Sequence, residues 1–379
     1  MCRLAWWLLG LGAVLIWHSS WAEDTGRLAA PIDSRKSSID VLGDIWCWSD
    51  EEFDEILEKH FAAPARRVPA VRVFIVDMWT YYIPRCGEGE GMFPCADYFP
   101  YTHDSSGFDV SKLSDEFSER FRGRITRLLD CGITPIICLR EYGALLKTTC
   151  PNFGDHPYNK LNNWQGWGGL KPEASIADTE HFGRRLIDML VRALDPKARN
   201  RVIWEIGNQP PVWALDAESR ILDSLYAYYQ DEDNRQELQL TALPKTRVWM
   251  TVFSYNQASR FLELGLNSRV GVVSVHNIGS VGDWIEQRQT ILAAKGKRRR
   301  WNTPLIPNTD GAKDFWATSL DEEPWCMPVK EEVWARNLDE LRGIVRREGY
   351  YGVLWDPCLY RNHRTLYLHR LDEVIDRLR

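Results

Sequence analysis

The chain has 379 residues, 44% of them hydrophobic and 26% charged, with a formal net charge of -6. This is the composition of a folded globular protein, long enough for one large barrel or two medium domains. The short cationic run Lys297 to Arg300 follows a predicted helix and reads as a solvated edge, and with no basic stripe elsewhere nucleic acid is not an expected partner.

At the N-terminus, Arg3 precedes an apolar run from Leu4 to Trp17, and the small residues Ser20 and Ala22 bracket Trp21. That pattern predicts a signal peptide over residues 1–22, cleaved after Ala22, and a secreted or periplasmic protein. The run is shorter than the roughly 20 residues a spanning helix needs, so no membrane association is expected after cleavage. Nine cysteines are present, and loss of Cys2 with the signal leaves an even number in an oxidising compartment, where disulfides are expected. Cys86 and Cys95 flank a Gly-rich loop and Cys326 and Cys358 follow late strands, so each pair is a candidate bridge. Cys138 sits inside an apolar strand and reads at least as well as a buried free thiol.

Residues 23–37 are polar and aperiodic, a lead-in arm. From Ile39 onward, short β-branched runs alternate with helical patterns. The predicted pairs are Ile39–Trp46 with Asp50–Phe61, Val71–Met78 with Leu113–Asp130, Ile133–Leu139 with Asp178–Leu194, and Arg201–Ile206 with Asp216–Gln230. Four more follow: Arg247–Phe253 with Asn256–Leu264, Val270–His276 with Trp284–Ala294, Thr303–Thr309 with Lys330–Arg347, and Tyr351–Trp355 with Thr365–Leu378. Eight βα units predict an α/β fold, a (β/α)8 TIM barrel in one domain over residues 38–379. Two βα loops are long, Trp79 to Ser111 and Tyr142 to Ile176, and loops of that length usually carry function.

In such a barrel, polar residues just past the strand ends line the active site. Those ends carry Asp77 and Trp79 (second strand), Arg140, Glu141 and Tyr142 (third), Glu205, Asn208 and Gln209 (fourth), and Tyr255 (fifth). The later strands add His276, Asp310, Trp355 and Asp356. Carboxylates and amides suit sugar hydroxyls, and aromatic rings suit the flat C–H faces of pyranoses, so the expected partner is a carbohydrate. Eighteen tryptophans, four of them before residue 22, supply rings for both a core and a cleft. The acids are spread singly over different strands without a ligand spacing, so no metal and no cofactor is expected, and the default assembly is a monomer.

The segment Trp204-Glu205-Ile206-Gly207-Asn208-Gln209-Pro210 resembles the fourth-strand signature of clan A glycoside hydrolases, Trp-Glu-x-x-Asn-Glu-Pro. Three weaker segments follow the clan's order along the chain: Val71-Arg72-Val73, Ser274-Val275-His276-Asn277 and Tyr351-Gly352-Val353-Leu354-Trp355. The resemblance implies an Arg72 near the nucleophile, sugar contacts from His276, and an aromatic platform at Trp355. It also implies that position 209 is the acid/base position and that Asp310 stands where the clan has its nucleophilic Glu. Two departures bear on chemistry. Gln209 is an amide and can neither donate a proton on the catalytic timescale nor act as general base. Asp310 is one methylene shorter than Glu and serves as nucleophile or stabiliser only if the backbone brings it nearer. The alternatives are a glycosidase in which Glu141 delivers the proton, an enzyme for activated glycosides that need no acid, and a pseudoglycosidase that binds sugar without cutting it. A fourth, purely structural reading has Asn208, Gln209 and Asp310 satisfying backbone groups at loop starts. Glu205 falls one step short of the rim and is expected to hold the site together; Asn208, Gln209, Asp310 and His276 are expected around the anomeric subsite.

Overall fold

The computed structural model describes residues 38–40, 44–46, 48–63, 67–75, 100–140, 142, 157–158, 161–167, 176–252, 257–276, 280–296, 299–308, 316–317, 327–328, 331–348 and 354–355. The expected signal peptide and lead-in arm, Cys86, Cys95, Cys326 and Cys358, and the closing helix all lie outside them.

The parallel strands are β1 (Ser38–Asp40), β2 (Ala70–Phe74), β5 (Thr134–Cys138), β6 (Ile203–Glu205), β7 (Val248–Val252), β8 (Val272–His276), β9 (Leu305–Asn308) and β12 (Leu354–Trp355). Their pairings run β1-β12-β9-β8-β7-β6-β5-β2, and β2 pairs back to β1 through Ile39 opposite Val71. This is an α/β fold of TIM-barrel-like type, with all C-terminal strand ends on one face. The strands are shorter than their apolar runs. The first prediction overshoots most, because Asp44–Trp46 turns into a 3-10 helix whose Trp46 indole donates to Phe74 O (2.6 Å).

Alternation along each strand divides the residues between two cores. Val71, Val73, Ile137, Trp204, Val248, Met250, Val273 and Val275 face outward into the main apolar cluster shared with the helices. Ala70, Ile136, Ile203, Trp249, Val272 and Ile306 face inward and form a separate apolar layer that fills the barrel axis. Among the outer helices, Ile176–Ala193 and Leu215–Gln230 approach most tightly at Gly183, where a Cβ would lie 2.7 Å from Ile221 Cγ1.

The loop expected from Trp79 to Ser111 is not all loop. Tyr101–Asp104 (β3) and Gly107–Leu113 (β4) form an antiparallel hairpin. Its turn, Asp104-Ser105-Ser106-Gly107, is held by Ser106 N–H and O–H donating to Asp104 Oδ1 (2.7 and 2.6 Å), and Gly107 takes φ 140°. Phe108 and Val110 alternate on one buried face of β4, and Leu113 is buried beyond an irregularity in the pairing with β3. The remaining short strands, Trp316–Ala317 (β10) and Met327–Pro328 (β11), pair antiparallel. Cys138 is a buried free thiol whose Sγ donates to Arg140 O (3.2 Å), and Cys131 is also free.

Candidate active site at the C-terminal face of the barrel

Above the apolar axial layer the barrel interior turns polar. Arg72, Glu205, Thr251, Ser274 and Asn308 are all buried, and each stands two residues beyond the apolar residue that its strand gives the layer below. Arg72 Nε donates to Glu205 Oε2 (2.5 Å) and its Nη2 to Glu205 Oε1 (2.7 Å), a two-point fit of guanidinium to carboxylate. The same Nη2 donates to Asn208 Oδ1 (2.8 Å). Thr251 O–H donates to Glu205 Oε1 and lies 2.6 Å from Ser274 Oγ. The Arg72 guanidinium also covers the Phe74 ring at 4.5 Å. The two charged side chains thus lie buried together, with two hydrogen bonds donated to Glu205 Oε1 and one to Oε2, the kind of pairing under which a buried pair is tolerated.

Simple alternation from Glu205 would turn Asn208 outward, yet it binds Arg72 inside the barrel. The reason is a β-bulge. Ile206 N–H donates to Trp249 O (3.1 Å), but Thr251 N–H reaches Gly207 O (3.3 Å). Ile206 and Gly207 together therefore face Met250, and the extra residue returns Asn208 to the inner face. On the other side the ladder to β5 continues past the strand ends, with Asn208 N–H donating to Arg140 O (2.8 Å) and Tyr142 N–H to Asn208 O (3.1 Å). Gln209 then adopts φ 54°, left-handed for a residue with a side chain, ahead of Pro210 and Pro211. That turn aims its amide at His276, the last residue of β8. Gln209 Nε2 lies 3.0 Å from His276 Nδ1 and also contacts Nε2 of the ring. The amide donates to whichever ring nitrogen lacks a proton.

A second buried group supports the bulge from behind. Glu218, on helix Leu215–Gln230, pairs with Arg140 (2.7 Å) and accepts the hydroxyl of Tyr142. Its carboxylate lies so close to Gly207 that a Cβ there would meet Oε2 at 3.0 Å. Burial raises the Glu218 carboxyl above the ordinary carboxylate range, with Arg140 pulling the other way. Burial works against the Arg140 charge, but the Glu218 carboxylate together with the nearby Tyr142 and Tyr158 outweighs it and holds that guanidinium above its usual range. Burial pushes the Tyr142 phenol far up.

Of the residues expected to form the site, Arg72, Glu205, Asn208, Gln209 and His276 come together here. Asp77 lies outside the described residues, and Arg72 and Arg140 pair with Glu205 and Glu218. Glu141, Tyr255, Asp310, Asp356 and Trp79 also lie outside the described residues, and Trp355 is placed by its backbone in β12. Thr251 and Glu218 escaped the sequence reading. Glu218 carries a detectable signal, because it occupies an apolar-stripe position with Leu215, Ile221, Leu222 and Leu225. Among the described residues no group of three or more His, Cys, Asp or Glu is arranged to hold a metal ion, and no helix is long and apolar enough to cross a membrane.

No protein-family model matches the chain, and no curated protein matches it. Solved structures similar to it are clan A glycoside hydrolases. They include a GH113 β-1,4-mannanase at 12% identity, covering 90% of this chain and 98% of that one with a TM-score of 0.47. A glycoside hydrolase family 5 enzyme from Prevotella bryantii B14, in complex with a xyloglucan tetradecasaccharide, is 9% identical over 92% of this chain and 97% of that one, TM-score 0.48. A tri-modular family 5 endo-β-1,4-glucanase from Bacillus licheniformis is 10% identical over 91% and 60%, TM-score 0.48.

Proposed function

We propose that the protein is a glycoside hydrolase-like (β/α)8 barrel in one domain, residues 38–379, exported by the signal peptide 1–22, that acts on a glycan or glycoside at its C-terminal face. The observation that carries this reading is the Arg72–Glu205–Asn208 network together with the Gln209–His276 contact. It fixes an amide pair at the barrel mouth on a rigid charged floor, which is how a site holds sugar hydroxyls in a set direction. Asp310 supplies the nucleophile or electrostatic stabiliser, while Tyr255, Trp79 and Trp355 supply further sugar contacts.

The Gln209 amide sets which substrates react. With no proton donor at that position, a leaving group that departs as a stable anion needs no acid, whereas an alkoxide leaving group requires Glu141 to deliver the proton. Glu205 is not that donor, because both its oxygens are committed to Arg72 beneath the rim. The same amide supports a second reading, a non-catalytic carbohydrate-binding protein. Hydrolysis of aryl glycosides graded by leaving-group acidity, by residues 23–379 and by Asp310→Asn, Glu141→Gln and Gln209→Glu variants, separates the two. Turnover of the activated substrates that disappears in Asp310→Asn supports the hydrolase. Silence toward all of them, with activity appearing only in Gln209→Glu, supports the binding protein.

A further inference from the structure

The two long loops also build a structure of their own. Strand β4 binds the 161–167 turn: Phe108 N–H donates to Asn162 O (2.7 Å), Trp164 N–H to Phe108 O (3.0 Å) and Val110 N–H to Gln165 Oε1 (3.2 Å). Asn163 fastens the turn from within, its amide donating to Trp167 O (2.9 Å) and its Oδ1 accepting Trp167 N–H (2.8 Å). Trp167 in turn lies face to face on Phe182 of helix Ile176–Ala193, with ring centroids 3.7 Å apart and planes at 17°. Between this layer and the helix is a cavity of about 340 Å³, lined by Ser111, Gln165, Trp167, His181, Phe182 and Arg185 together with Val110 and Gly166.

The lining holds two basic side chains and no acid. Arg185 and His181 are four residues apart on one helix and so share a face. The neighbouring arginines of that helix are matched, Arg184 by Glu180 and Arg192 by Asp188 and Glu237. Arg185 has no hydrogen bond or ion pair among the described residues, and Asp109 acts on it through charge alone. Asp109 is already engaged, its Oδ1 accepting Ser111 N–H (3.0 Å), Ser111 O–H (2.5 Å) and Gln165 Nε2 (2.6 Å). Those bonds fix the polar wall and, among the described residues, leave the exposed Arg185 guanidinium as the cavity's open charge.

We propose that this cavity is a second binding site, separate from the barrel mouth, and that it takes a uronic acid residue of an acidic glycan. A carboxylate matches the fork of an unpaired guanidinium in two-point geometry. The half-buried Trp167 ring, backed by the buried Phe182, offers an apolar surface for the C–H face of a pyranose. The volume falls at the lower end of the roughly 300–1,000 Å³ typical of small-ligand sites, enough for one sugar ring.

Calorimetric titration of residues 23–379 with oligogalacturonate and oligoglucuronate tests the assignment, with neutral oligosaccharides of equal length, acetate and sulfate as comparisons. The expected result is saturable binding of a uronate that weakens at least tenfold in Arg185→Gln and is unchanged in Arg184→Gln. Neutral oligosaccharides should be indifferent to Arg185→Gln, which keeps this result separate from any binding at the mouth. Absence of uronate binding, binding that survives Arg185→Gln, or an equal response to acetate or sulfate would overturn the proposal.

Discussion

The side-chain amide of Gln209, in the turn after β6, lies 3.0 Å from Nδ1 of His276, the last residue of β8. Gln209 reaches the ring only because its backbone is left-handed, at φ 54°. Such a conformation costs a residue with a Cβ on the order of 1 kcal/mol, a cost glycine does not share. Gln209→Gly is therefore expected to leave urea stability unchanged or raise it by up to about 1 kcal/mol, while abolishing whatever ligand binding the mouth supports. A stability loss above about 2 kcal/mol would mean that the amide is a structural tie and not a site group.

The Arg72–Glu205 pair makes the opposite prediction. Both side chains are buried, so removing one leaves an uncompensated charge in the barrel interior. Glu205→Ala should cost about 3–5 kcal/mol in urea unfolding, well beyond an exposed pair such as Arg192–Glu237, where Glu237→Ala should leave the denaturant midpoint nearly unchanged. Similar losses in the two variants would show that the interior pair is hydrated.

Gly207→Ala tests the bulge. The added methyl meets the Glu218 carboxylate at 3.0 Å, and Glu218 is held by Arg140 and Tyr142, so the backbone must yield. The expected loss is about 1–3 kcal/mol in stability, with weaker ligand binding at the mouth because Asn208 moves with the bulge. The double variant Gly207→Ala, Glu218→Ala measures the coupling, and purely additive losses would show that the two residues do not meet.

Alkaline stability should report the buried phenols. Burial raises Tyr142 and Tyr158 above the ordinary phenol value of about 10, and Tyr226 and Tyr229 to about 12. A group whose folded pKa is raised contributes stability that is whole below its unfolded pKa and is lost as pH rises towards the folded value. Stability is thus predicted to fall from about pH 10 upward, and Tyr158→Phe should flatten that fall. Denaturant midpoints measured between pH 8 and 11.5 check it, and a slope unchanged by Tyr158→Phe would refute the assignment for that residue.

The sequence shows the βα rhythm because the barrel strands are mainly apolar runs bounded by polar turns, such as Val71 to Phe74 and Val272 to Val275, each interrupted by one buried polar residue, Arg72 and Ser274. Strand ends are less visible, since Ile75, one residue past β2, stays buried and still donates its N–H to Cys138 O (3.3 Å). The hairpin at Tyr101–Leu113 was hidden by its position inside a polar, Gly-rich loop. The bulge at Ile206–Gly207 reads as ordinary strand, so one-residue alternation fails where it matters most, at Asn208. Glu218 is legible only as a member of its helix's apolar stripe, and its partners Arg140 and Tyr142 lie about 76 residues away, beyond any local pattern.

The central claim is that the barrel mouth, floored by Arg72 and Glu205, is a carbohydrate site. Calorimetric titration of residues 23–379 with a panel of neutral oligosaccharides, repeated on Asn208→Ala and His276→Ala variants of verified fold, tests it directly. The account predicts that at least one oligosaccharide binds and that each variant weakens it at least tenfold. Binding that is intact in both variants, or no binding by any member of the panel, would contradict it.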